Sequence, residues 1–226
     1  SGMAGLLEGV RIVEFEGLGP GPFPAVWFAD QGAQVTVIQR PGGAPLPGLP
    51  SASLLDRGKR GIALDLKSPA DLAVVRALVA RADAVIEGYR PGVMERLGLG
   101  PDDLRPLNPA LVYGRMTGWG QTGPRARQAG HDLNYIATSG ALWYASPPGV
   151  PPFTPPTLVG DIGGGAMYLV AGMLAALWRA RGTGQGATID AAIVDGSAHM
   201  LALVMSMQAA GMFRAERGAS LLDGPH

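Results

Sequence analysis

Short apolar runs that alternate with helix-length segments constrain this chain more than any other feature. Val10 to Phe15 reads as a buried strand, and the turn from Gly17 to Pro22 follows. Phe23 to Asp30 then winds as a helix before Val35 to Ile38 returns as a second strand. The unit recurs. Ile62 to Leu64 is extended, Ser68 is an N-cap with Pro69 at the first helical position, a helix runs to Ala82, and Ala84 to Ile86 is again a strand. Pro101 opens a short helix and Leu111 to Met116 supplies a further strand. Strands separated by helices cannot pair as hairpins, so the pattern predicts an α/β fold with a Rossmann-like parallel sheet covered on both faces.

After Thr117 the texture changes. Gly118 to Pro124 is a loop, Ser146 to Pro156 is a proline-rich crossing segment, and Ala166 to Ala180 is apolar nearly all round and expected to be buried. Ala187 to Ile189 reads as a strand and Ala198 to Ala210 as one methionine-rich helix. The segmentation expected is an expression scar at residues 1–2, a large domain over 3–190, and a helical segment over 191–226.

Composition removes several functions. Eighteen basic residues balance eighteen acidic ones, which argues against a nucleic-acid partner led by electrostatics. The absence of cysteine removes disulfides, thiolate metal sites and cysteine nucleophiles, and makes a cytoplasmic setting the expectation. The longest apolar stretch, Ala166 to Trp178, falls short of the ~20 residues that cross a bilayer, so no membrane partner is expected. Glu8, Arg11 and Glu14 do not suit a signal peptide.

The first strand, glycine turn and helix look like half of a dinucleotide site, but Pro20 and Pro22 remove two backbone donors that a pyrophosphate would use. A structural turn fits better. Sixteen of the eighteen basic residues are arginine, and Arg40, Arg57, Arg60, Arg90 and Arg96 fall in loops after strands, where guanidinium groups suit a phosphorylated ligand. His199 lies in an apolar helix and reads as a core residue, whereas His131, in Gly130-His-Asp-Leu-Asn-Tyr135, sits at a loop-to-helix junction and is a site candidate. Asp161 stands immediately before the long helix, as an N-cap would, but three glycines follow it. Those glycines allow close backbone approach, and Gly163 and Gly164 are candidate oxyanion donors.

These stretches together resemble the family III CoA-transferase superfamily, and within it the α-methylacyl-CoA racemases. The resemblance runs from Leu6-Leu-Glu-Gly-Val-Arg-Ile-Val-Glu14 through Ala63-Leu-Asp-Leu-Lys-Ser68, Glu87-Gly-Tyr-Arg-Pro-Gly92, Arg115-Met-Thr-Gly-Trp-Gly-Gln-Thr-Gly-Pro124 and Gly130 to Tyr135, and continues to Gly224. It implies a histidine and an aspartate, here His131 and Asp161, acting on opposite faces of a substrate α-carbon. CoA binding would draw on Arg40, on Leu64, Asp65, Leu66 and Lys67, and on Gly88, Tyr89, Arg90, Pro91, Gly92 and Val93. Arg96 and the segment Gly130, Asp132, Leu133, Asn134 and Tyr135 complete that set. The implied reaction is racemisation of 2-methyl-branched acyl-CoA thioesters. It needs no metal or redox cofactor, and CoA enters as part of the substrate. Transferases of the same superfamily use the aspartate as a nucleophile, so CoA transfer through an Asp161 anhydride, or an inactive CoA-binding or dimerisation fragment, stand as alternatives. The resemblance also implies an interlocked homodimer and a second, smaller domain reached after the present last residue.

Overall fold

The computed structural model describes residues 3–17, 21–42 and 53–224. Leu18 to Pro20 of the glycine-proline turn, the two leading residues and His226 lie outside them. The chain groups into two compact units, each made of two segments: unit 1 holds the residues up to Met116 together with Leu169–Asp190, and unit 2 holds Thr117–Tyr168 together with the residues from Ala191 onward. The stretch expected as one domain over 3–190 therefore contributes to both.

Unit 1 is built on β1 (Arg11–Phe15), β2 (Gln34–Gln39), β3 (Lys59–Ala63), β4 (Ala84–Glu87) and β5 (Val112–Thr117), with β6 (Ala187–Ala192) on the edge beyond β5. The order β3-β2-β1-β4-β5-β6 and the parallel registers, Val13 against Thr36 and Val85 for example, are those of a doubly wound sheet. Helices α1 (Pro22–Asp30) and α2 (Pro69–Ala80) make the crossovers that parallel pairing requires. Ser68 caps α2 as expected, its Oγ accepting the Asp71 N–H at 3.4 Å. Val75 and Val79 on α2 bury fully against Val13, Val85, Leu104 and Tyr113. Each such side chain contributes roughly 1.5–3 kcal/mol.

Two boundaries differ from expectation for identifiable reasons. Strand β3 starts at Lys59, ahead of Ile62, because it is an edge strand of mixed polarity whose backbone pairing with β2 is not marked by apolar residues. The long helix α6 (Met167–Thr183) continues a π-helical segment that begins at Leu158, so the helical stretch Leu158–Thr183 counts 26 residues and is long and apolar enough to cross a membrane by length and composition. The length argument from Ala166 to Trp178 is thereby corrected. In unit 1 this helix buries Leu169 and Met173 against Gly114 of β5, where a side chain would collide with the Met173 sulfur.

A buried ion pair links β1 to β3. Glu14 Oε1 lies 2.8 Å from Lys59 Nζ, and both side chains are nearly sealed from solvent. Burial outweighs the lysine and pushes the Glu14 carboxyl up to about 7. A carboxyl whose folded value exceeds its unfolded one binds its proton more tightly in the folded state, so this group's contribution is complete below about pH 4.5 and is lost as the pH rises through about 7. Thermal unfolding is expected to show a decline of up to about 3 kcal/mol across that window. Glu14→Gln should flatten it; an unchanged slope in the variant would remove Glu14 as its source.

Unit 2 contains α5 (Asp132–Ser139), the π-helical segment Leu158–Ala166, α7 (Ile193–Met200) and α8 (Ala202–Ala209). The single helix expected over Ala198 to Ala210 is two. The last turn of α7 tightens so that the Leu201 N–H donates to Ala198 O, and α8 restarts from there.

Candidate active site

In unit 1 the loops after parallel strands carry the arginine-rich set. Arg40 follows β2, and its backbone N–H donates to Glu16 Oε2 at 3.0 Å. The Tyr89 hydroxyl donates to Glu16 O and also meets the Arg40 side chain. Arg40, Glu16 and Tyr89 thus converge where the strand order reverses between β1 and β4, the place at which open α/β sheets bind ligands. Burial raises the Tyr89 hydroxyl's pKa above its ordinary value, against the opposing pull of Arg40.

The loop from Gly88 to Val93 is pinned from below. Arg115 on β5 bonds Glu87 Oε1 at 2.9 Å and Glu95 Oε1 at 2.8 Å, so one guanidinium ties the last residue of β4 to α3 (Val93–Arg96). Glu87 Oε2 accepts the Tyr89 N–H. Met94 of α3 is fully buried, and Gly92 takes a left-handed φ of 90° with the Arg96 guanidinium folded over it. Sequence reading did not join Glu87, Arg115 and Glu95 into a triad; a charged residue on each of two otherwise largely apolar strands, and one on α3, is its trace. After β3, the Asp65 N–H donates to Asp71 Oδ2 and the Lys67 N–H to Asp65 Oδ1, which turns the chain into α2. Leu64 is a core residue whose side chain packs into the apolar cluster of the sheet.

In unit 2, His131 is the extended residue that precedes α5, with its N–H donating to Asn134 Oδ1 at 2.9 Å. Its side chain is exposed, at the positive end of the α5 dipole. Asp161 is half-buried inside the π-helical segment and is not its cap. The N-cap position belongs to Thr157, a non-glycine residue at φ 64°. The Asp161 carboxyl is held above its ordinary pKa by burial first and then by the Asp132 charge, while His131 pulls it the other way. Both residues of the expected pair lie in unit 2. Asp132 is itself buried and accepts the N–H groups of Gly160 and Asp161, a role that sequence reading did not find.

Other expectations change. Tyr135 is buried, packing edge-on against Trp119 at 4.8 Å and over Gly118 and Gly130, where any side chain would overlap its ring. Leu133 and Asn134 stay exposed. His199 is exposed, with the Tyr168 hydroxyl 2.6 Å from its Nδ1, and is not a core residue. Gly163 and Gly164 sit inside the helical segment, where backbone N–H groups run along the helix, and Gly164 is packed against Ile193 and Ser197 of α7. Close helix approach accounts for that glycine. The contact is reciprocal, because a Cβ on Gly196 would overlap Gly164 O. Gly196→Ala is expected to cost about 1–3 kcal/mol or more through overpacking. Gly182→Ala, whose Cβ meets open space, should be neutral or stabilising. Denaturant unfolding of the two variants tests the difference.

The doubly wound sheet defines an α/β protein, and the chain belongs to CoA-transferase family III, whose family model matches residues 7–223. Among its relatives it is similar to the alpha-methylacyl-CoA racemase of Homo sapiens, 43% identical over 218 residues, which cover 96% of this chain and 56% of that protein. It is also similar to the succinyl-CoA:glutarate CoA-transferase of Homo sapiens, 31% identical over 93% of this chain and 50% of that protein. The structure superposes on a CaiB/BaiF family protein from Brucella suis with a TM-score of 0.84 and 31% identity, covering 96% of this chain and 61% of the other. The chain thus spans between 50% and 61% of the length of these relatives.

Proposed function

We propose that this chain carries the proton-transfer pair of a racemase or epimerase of 2-methyl-branched acyl-CoA thioesters. The observation that supports this most is that one unit holds His131 and Asp161, with the Asp161 backbone bonded to the side chain of Asp132, the residue next to His131. Removing a proton beside a thioester carbonyl gives an enolate, which must be reprotonated from the other face. Neutral His131 takes the proton from one enantiomer while protonated Asp161 returns one, and the reverse reaction exchanges the roles. The positive end of α5 favours the negative charge that develops. The arginine loops of unit 1 would hold the CoA phosphates, and no metal or redox cofactor takes part in the scheme. The same reading includes a homodimer in the cytoplasm, with neither nucleic acid nor membrane as partner.

The test is proton NMR of a 2-methylacyl-CoA in deuterated water, following loss of the α-hydrogen signal. Exchange supports the proposal; broadened CoA resonances without exchange count against it. The likeness to a CoA-transferase keeps a second reading, in which Asp161 attacks the thioester carbonyl, expels the CoA thiolate and forms a mixed anhydride. That reading predicts an acyl group on Asp161 that hydroxylamine traps and that Asp161→Asn abolishes.

A further inference from the structure

We propose that Asp132 is the positioning residue of the pair: its side chain ties the backbone that carries Asp161 to the helix start that carries His131. The inference rests on the proton-transfer reading above, and its geometry lies within unit 2. Asp132 follows His131 directly as the first residue of α5. Its Oδ2 accepts the Gly160 N–H at 2.8 Å and the Asp161 N–H at 2.7 Å, 28 and 29 residues further along the chain. Both bonds are charge-assisted, short and shielded, because Asp132 is only 7% exposed.

Three details show that the arrangement is built for this contact. Position 160 must be glycine, since a Cβ there would lie 2.6 Å from Asp132 Oδ2. Thr157 holds a left-handed conformation at the entry to the segment, which persists only where surrounding contacts over-determine it. The other carboxylate oxygen, Oδ1, is buried without a hydrogen bond, so Oδ2 carries all the hydrogen bonding the side chain makes among the described residues. A carboxylate buried in this way is expensive unless its bonds do structural work. Without it, the Gly160 and Asp161 N–H groups lose their acceptor, and the turn is free to move the Asp161 carboxyl relative to His131. Displacements near 1 Å in such pairs cost on the order of 10²-fold in rate.

This differs from the CoA contact that the resemblance implied for Asp132, and the two separate experimentally. Asp132→Asn keeps an oxygen acceptor for both N–H groups, whereas Asp132→Ala removes it. In α-hydrogen exchange with a 2-methylacyl-CoA, Asp132→Ala is expected to lower kcat by about 10²-fold with KM changed by less than about 3-fold, and Asp132→Asn to recover at least about 10-fold of that loss. Amide hydrogen exchange followed by NMR gives a readout that does not need turnover. The Gly160 and Asp161 amides should exchange faster in Asp132→Ala and stay protected in Asp132→Asn, while amides in α7, of the same unit, are unchanged and report that the fold is intact. A loss confined to KM, or equal protection of the two amides in all three proteins, overturns the proposal. Loss of amide protection in Asp132→Ala when the unsubstituted chain exchanges no α-hydrogen upholds the tether and defeats the racemisation reading.

Discussion

His131→Ala is expected to slow α-hydrogen exchange from one enantiomer of a 2-methylacyl-CoA by about 10²-fold or more beyond its effect on the other, and Asp161→Asn to show the opposite bias. The asymmetry follows from a two-base scheme, in which each group abstracts from one enantiomer and donates to the other. The variant that lacks a base cannot start from the face which that base serves, yet it retains the other group for exchange with solvent. Burial and the neighbouring Asp132 raise the Asp161 pKa above that of a free aspartate, the direction its role as the acid requires. Equal residual rates for both enantiomers in both variants would remove the two-base scheme, and a loss confined to Asp161→Asn with a trapped acyl group would favour transfer chemistry.

Arg115→Met should be the most damaging single substitution in unit 1, at about 3–5 kcal/mol, because it leaves the Glu87 carboxylate buried with its charge uncompensated. Glu87 is 1% exposed, and burial already raises its pKa despite the arginine. Without Arg115 the folded value rises further above the unfolded one, so the folded state gains a proton that the unfolded state lacks. The deficit is then smallest in acid and grows as the pH rises through the new folded value. Urea unfolding at pH 5 and pH 8 reads this directly. Glu87→Gln in the Arg115→Met background should recover much of the loss at pH 8 and little at pH 5. A deficit independent of pH would show that lost packing, not stranded charge, is the cause. The same variant releases the Gly88–Val93 loop from α3, so affinity for CoA should fall even where the fold survives.

The parallel sheet was legible because buried strands such as Ala84 to Ile86 are continuous apolar runs, and Ser68-Pro69 announces its helix through cap chemistry. Edge strand β3 was half-legible: its ends pair by backbone alone. The π-helical segment was not legible, since Leu158 to Ala166 offers glycines and a carboxylate that suit a cap equally well; what selects the helix is the close crossing of Gly164 with Gly196. His131 and Asp161 were singled out from their local sequence, and the resemblance supplied their roles. Asp132 was found too but given a different task, because a spacing of 28 residues in sequence cannot reveal a side chain bonded to the Gly160 N–H.

The pairing of Gly164 with Gly196 also dictates an order of events during synthesis. The segment that bears Asp161 is finished against α7, which leaves the ribosome only after all of α6 and β6 have been made. Unit 1 likewise needs Leu169–Asp190 for its last helix and strand. Both units therefore remain open until α7 has emerged, a contact pattern associated with slow folding and prolonged exposure of apolar surface. A ribosome-bound chain halted before Ala192 should present His131 and Asp132 with no settled π-helical partner, and protease digestion of such stalled chains would reveal the cut between Thr154 and Ala166 closing once α7 is released.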